Sequence, residues 1–148
     1  MPNPIDVSKY LANPCSALTQ DQATQFGASG PGKTLDIPFL SCIWHTDQST
    51  AFGLAVNDKQ SNGLNDIYRL HQTIGQYVYF QPTTIGGYPA VTDELSSSDL
   101  SSGNCEVMVA VNDKVILEAN VQRSHTGDPC GSAQRLATTA LQNVKAGV

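Results

Sequence analysis

No apolar run in this 148-residue chain approaches the length of about 18 that a membrane-crossing helix needs. Charge is scarce as well: 14% of residues are charged, against ~25% in ordinary globular chains, and Ser, Thr, Asn and Gln supply the polar surface instead. Lys and Arg total 8 and are scattered, against 13 Asp and Glu, for a net charge of −5. That balance argues against nucleic acid as a partner and against a polybasic membrane-binding face. There is no Cys-x-x-Cys, so a zinc site or a redox-active pair has no local signal. Neither a Gly-x-Ser-x-Gly elbow nor a His-x-x-x-His pair occurs. Gly30-Pro31-Gly32-Lys33 has the residue types of a phosphate loop but lacks the strand–loop–helix setting and the following Ser or Thr. These absences leave no catalytic residue, no metal ligand set and no cofactor to assign.

The residues that could still carry chemistry have plainer readings. His45 sits near Asp47 across a strand end, which aims the two side chains in loosely related directions. His71 falls on the apolar face of a helical pattern, where a half-buried structural histidine is the default. His125 precedes Gly127-Asp128 in a loop and is expected in solvent. Asp93-Glu94 is an adjacent acid pair suited to acid–base work, but it reads first as a solvated strand end. The serines at 96–98 and 101–102 read as flexible connector.

What is present begins with four cysteines in two matched settings. Asn13-Pro14-Cys15 and Asp128-Pro129-Cys130 each open a helix-like segment, and Cys42 and Cys105 lie in apolar, strand-like runs. An even count with no metal spacing predicts two disulfides and an oxidising compartment. Four cysteines allow three pairings. The twin contexts favour Cys15–Cys130, joining the starts of two helices, and Cys42–Cys105, joining two strands near Trp44. Such long loops would contribute roughly 4 kcal/mol each on a chain-entropy estimate.

The length fits one domain that buries roughly 70% of its unfolded surface. Residues 1–12 carry two prolines and little periodicity, and read as the remnant of a tether; residues 13–148 read as the domain. Met1 leads directly into Pro-Asn-Pro with no basic or apolar leader region, so a mature chain whose signal peptide has been removed is expected. Asn13 and Pro14 open a first helix, with capping-box spacing at Thr19 and Gln22 and a stop at Gly27. Strands follow at 40–45 and 51–56. Leu64, Ile67, Tyr68, His71 and Ile74 share one helical face ending at Gly75. Extended structure resumes at 77–80 and 83–91, where Pro89 requires an edge or a bulge. A hairpin then pairs 105–111 with 115–121 around Asn112-Asp113. Last, Asp128 and Pro129 start a helix on which Ala133, Leu136, Ala137, Ala140, Leu141 and Val144 recur at helical spacing. Ala-Val-Asn-Asp-Lys occurs at both 55–59 and 110–114, in flanks that do not match. The fold expected is α+β: an antiparallel sheet of about five strands with the helices of 62–74 and 128–146 gathered on one face.

Tyr77, Tyr79, Phe80 and Tyr88 concentrate aromatics beside Gly86-Gly87. Core and edge packing is the plain reading. The functional one is contact with an apolar ligand or a partner chain, of the mixed kind that pockets use.

Taken in order, Asn13-Pro14-Cys15-Ser16-Ala17-Leu18-Thr19, Cys42-Ile43-Trp44, Gly87-Tyr88-Pro89-Ala90-Val91, Cys105-Glu106-Val107 and Asp128-Pro129-Cys130 before an Ala/Leu-rich helix form a set. That set, spanning about 13–146, resembles the actinobacterial envelope lipoproteins grouped as domain-of-unknown-function family 3558. The resemblance implies export, a lipid-modified cysteine upstream of this chain, a tether leading into residues 1–12, and the two disulfides. Asn13 replaces the Asp usual before the first Pro-Cys, a change that keeps the cap. It carries over no activity. The expectation is a non-enzymatic, extracytoplasmic, membrane-anchored module that binds a small apolar or amphiphilic ligand or an envelope protein. Its rival is an extracytoplasmic hydrolase acting on an envelope or secreted small molecule.

Overall fold

The computed structural model describes residues 3–36, 40–47, 49–75, 77–94, 101–124 and 127–147. Of the loop expected at 96–103, residues 96–100 lie outside the described residues, as does His125.

Seven strands form one sheet: β1 (Lys33–Asp36), β2 (Leu40–His45), β3 (Ala51–Asn57), β4 (Tyr79–Ile85), β5 (Tyr88–Glu94), β6 (Cys105–Ala110) and β7 (Ile116–Gln122). Their order is β1-β2-β3-β7-β6-β5-β4, with every neighbouring pair antiparallel. Two meanders thus meet where the last strand docks on the third. The helices are α1 (Ser8–Leu11), a 3-10 helix (Pro14–Ala17), α2 (Gln20–Gln25), α3 (Leu64–Ile74) and α4 (Pro129–Ala146).

The sheet exceeds the expected five strands for two local reasons. β1 is exposed along its whole length and shows no alternation, so the periodicity signal is absent there. The stretch at 77–91 is a hairpin, turned at Gly86 and Gly87, whose φ values of 56° and 86° suit glycine. Pro82 lies on the edge strand β4, where a missing N–H is tolerated. Pro89 pairs with Thr84 on β4, while the β6 ladder begins only at Ala90, so its other side is effectively an edge.

Most local start and stop signals hold; the exception is Asn13-Pro14, which opens a separate 3-10 turn rather than the first helix, with no side-chain cap bond from Asn13. Thr19 and Gln22 form a reciprocal capping box at α2, and Asp128 accepts from the Gly131 amide with Pro129 at N1 of α4. Gly75 closes α3 in the left-handed region. The two Ala-Val-Asn-Asp-Lys copies make the same turn: Asn57 and Asn112 each accept from the backbone amide two residues on.

Helices cover both faces of the sheet, which corrects the one-sided arrangement. On one face α4 buries Ala133, Leu136, Ala137, Ala140, Leu141 and Val144 against Leu54, Val107, Val109, Leu117 and Ala119. On the other, α3 sets Leu64 and Ile67 against Val91, Met108, Ala110 and Ile116. Alternate residues of β6 and β7 therefore feed two different cores, and both strands carry apolar residues on both faces. Of residues 1–12, expected to be the remnant of a tether, Ile5, Val7 and Tyr10 lie in the α4-side core, and the Ile5 amide donates to the Val111 carbonyl.

The cysteines form two disulfides, but not in the expected pairs: Cys15 joins Cys42 and Cys105 joins Cys130. Strand order explains the correction. β3 and β7 lie between β2, which carries Cys42, and β6, which carries Cys105. Three strand spacings put those two roughly 14 Å apart, about twice what a disulfide spans. Each strand cysteine instead takes the helical cysteine packed above it, the 3-10 helix over β2 and α4 over β6. Two disulfides fit an oxidising, extracytoplasmic setting, and no helix among the described residues is long and apolar enough to cross a membrane.

Candidate functional site

On the α4 side, a groove of about 1380 Å³ opens between α2, the turn joining β2 to β3, the end of β7 and α4. Phe26, Phe52, Ile85 and Val121 give it apolar surface. Gln22, Gln25, Gln134, Gln142, Thr138 and Thr139 surround that surface with amides and hydroxyls. Phe52 stacks on Trp44 at 5.4 Å and meets Phe26 at 5.8 Å, so the aromatic wall is braced from beneath. The charged groups at the rim are Asp47, Asp128 and Arg135. Asp128 is engaged as the α4 cap and Arg135 donates to Ser132. Among the described residues lining the groove there is no histidine or cysteine to act as base or nucleophile. The arrangement can hold a molecule with an apolar part and an uncharged polar part.

On the α3 side lies a different assembly. Phe80 stacks on His71 at 4.0 Å and meets Tyr68 edge-on at 5.5 Å and Tyr77 at 5.4 Å. Directly across the ladder from Phe80 stands Asp93, which in turn faces Glu106. Asp93, Glu106 and Glu118 form a stepped row on three adjacent strands, Glu118 lying diagonally from Glu106, whose direct partner on β7 is Asn120. Side-chain hydrogen bonds run from Asp93 to Glu106, on to Glu118, and then to Asn57. Asp93 is 1% exposed and Glu118 7%; Glu106 is partly open. Burial, followed by repulsion within the row, pushes Asp93 and Glu118 up to about 8. Glu106 is raised well above the usual carboxylate range for the same reasons. Asp93 Oδ2, Glu118 Oε2 and Asn120 Oδ1 are buried without a hydrogen-bond partner. Among the described residues no group of three His, Cys, Asp or Glu side chains converges as a metal site.

These positions redistribute the sequence candidates. Of the four aromatics, Tyr77 and Phe80 come together in the α3-side cluster. Tyr79 points to the opposite face of β4 by alternation. Tyr88 belongs to the α4-side core, its hydroxyl donating to the Asn3 carbonyl. The four thus share no surface. His45 is exposed at the end of β2. Asp93, expected at a solvated strand end, is instead closed in because β5 is an interior strand under the aromatic cluster. Sequence reasoning missed Glu106 and Glu118. The signal was there: each is a lone acid inside an apolar strand run, Cys105–Ala110 and Ile116–Gln122, where both faces are covered.

A family model described as a protein of unknown function, domain-of-unknown-function family 3558, matches residues 1–143. The chain belongs to this family. No curated protein and no solved structure matches it. The match covers nearly the whole chain, including both disulfides, the groove and the acid row, so each of these lies within the family domain itself.

Proposed function

We propose that this family 3558 domain is a non-enzymatic cell-envelope module that binds a small amphiphilic molecule in the α4-side groove. In the full precursor a lipid anchor upstream of this chain would hold it at the membrane. The observation that carries the reading is the lining of the groove: a braced apolar wall under amide and hydroxyl groups, with no histidine or cysteine among its described residues. An envelope protein partner is the alternative occupant. The hydrolase reading draws on the acid row, but Asp93 and Glu118 are closed off from solvent there.

The test is native mass spectrometry of protein purified from an exporting host without reductant. It is paired with anilinonaphthalene sulfonate binding, read by the probe's own emission. A small adduct, and a probe affinity lowered at least tenfold by the groove-filling substitutions Thr138→Trp and Thr139→Trp, are expected. Adduct-free protein with probe binding indifferent to both substitutions would end the proposal.

A further inference from the structure

On the α3 face of the sheet Asp93, buried and directly opposite Glu106 in the ladder, hydrogen-bonds to it, and Glu106 in turn to the buried Glu118. An ionised carboxylate only accepts, so a bond between two carboxyl groups requires a proton on one of them. Two such bonds require at least two protons among the three acids. The other groups around the row do not supply a counter-charge. Glu94 on β5 adds negative charge, and Asn57 on β3 contributes a neutral hydrogen bond. From α3 come Tyr68 and His71, both packed on Phe80, while Asp66 and Arg69 pair with each other. Every charge acting on the row is negative.

We infer that this row is a proton-operated latch for α3: while its two protons are shared, the helix lies closed on the sheet, and as they leave it lifts and uncovers the aromatic cluster. The coupling runs through Phe80. It stands opposite Asp93 in the ladder and carries His71 and Tyr68 of α3 on its ring. An ionised row under that ring draws in water, since buried charge without a partner is strongly unfavourable. The strands cannot yield, because β5, β6 and β7 are each paired on both sides. α3 can, because its only buried side chains are Leu64, Asp66 and Ile67 and its end is exposed at Ile74.

The sign follows from linkage. Closed, the row keeps its protons to about pH 8. Opened to water, each carboxyl titrates near 4. Between these limits the closed form holds more protons than the open one, so closure weakens as pH rises from about 4 to about 8 and levels off above. The opening constant rises about tenfold per pH unit for each proton released.

The test is hydrogen exchange read by mass spectrometry over 64–74 from pH 5 to pH 8, corrected for intrinsic exchange. In the wild type the opening constant should rise at least tenfold per unit while α4 peptides keep their protection. In Asp93→Asn/Glu118→Gln, two amide N–H groups replace the shared protons as donors to Glu106, and the opening constant should stay level. A level wild-type profile, an unchanged slope in the double variant, or loss of α4 protection in step with α3 would each overturn the latch. Should the double variant not fold, infrared spectroscopy of the wild type decides: a protonated-carboxyl band persisting above pH 6 supports the shared protons, and full ionisation there refutes them.

Discussion

The disulfide pattern gives the sharpest check on the architecture, because the pairing and the strand order stand or fall together. Lys33 separates Cys15 from Cys42, and Lys114 and Arg123 separate Cys105 from Cys130, so trypsin places the four cysteines on four peptides. Unreduced, the map should join 10–33 to 34–59 and 70–114 to 124–135. The bridges close loops of 27 and 25 residues. On chain-entropy grounds either loop contributes ~3.5 kcal/mol, somewhat less than the longer loops of the alternative pairing. Removing one bridge as Cys105→Ala/Cys130→Ala should therefore lower stability to denaturant by about 3 kcal/mol. For a chain of this length that is a fall in Tm of roughly 6–12 °C. Calorimetry and denaturant titration without reductant measure it. A peptide joining 10–33 to 124–135 would refute the sheet order, and a loss under about 1 kcal/mol would refute the loop argument.

Two further outcomes follow from packing. Leu136 is fully buried between α4 and the sheet, so Leu136→Ala should cost about 2–5 kcal/mol in denaturant titration; a change near zero would place α4 elsewhere. Gly32 admits no side chain, since a Cβ there would lie 2.7 Å from the Trp44 indole, and Gly32→Ala should lower Tm and perturb Trp44 fluorescence, whereas an unchanged spectrum would contradict that approach.

The two faces of the sheet are built for different work. The α4 side carries both disulfides, the larger core and the groove, so the surface proposed to bind a ligand is set on rigid elements. The α3 side is covered by one short helix over a smaller apolar cluster and the acid row. The proposed response to pH is placed there because the cover is light and the pKa values of the buried acids are raised.

The sequence by itself determined what depends on neighbours along the chain. The Thr19 capping box, the Gly75 stop, the Asp128-Pro129 start of α4 with its apolar stripe, and the hairpin around Asn112-Asp113 are all local hydrogen-bonding or periodicity effects, and each appears where the residues predict it. Even the cysteine count, read with the absence of metal spacing, sufficed for two disulfides. Tertiary structure alone decided which cysteines pair, because β7 returns from the far end of the chain to separate β3 from β6. It also put α3 and α4 on opposite faces, a choice hidden by strands apolar on both sides. The acid row had the same origin. Asp93, Glu106 and Glu118 lie on three separate strands, and only strand pairing brings them together, Asp93 directly across from Glu106 and Glu118 diagonally from it.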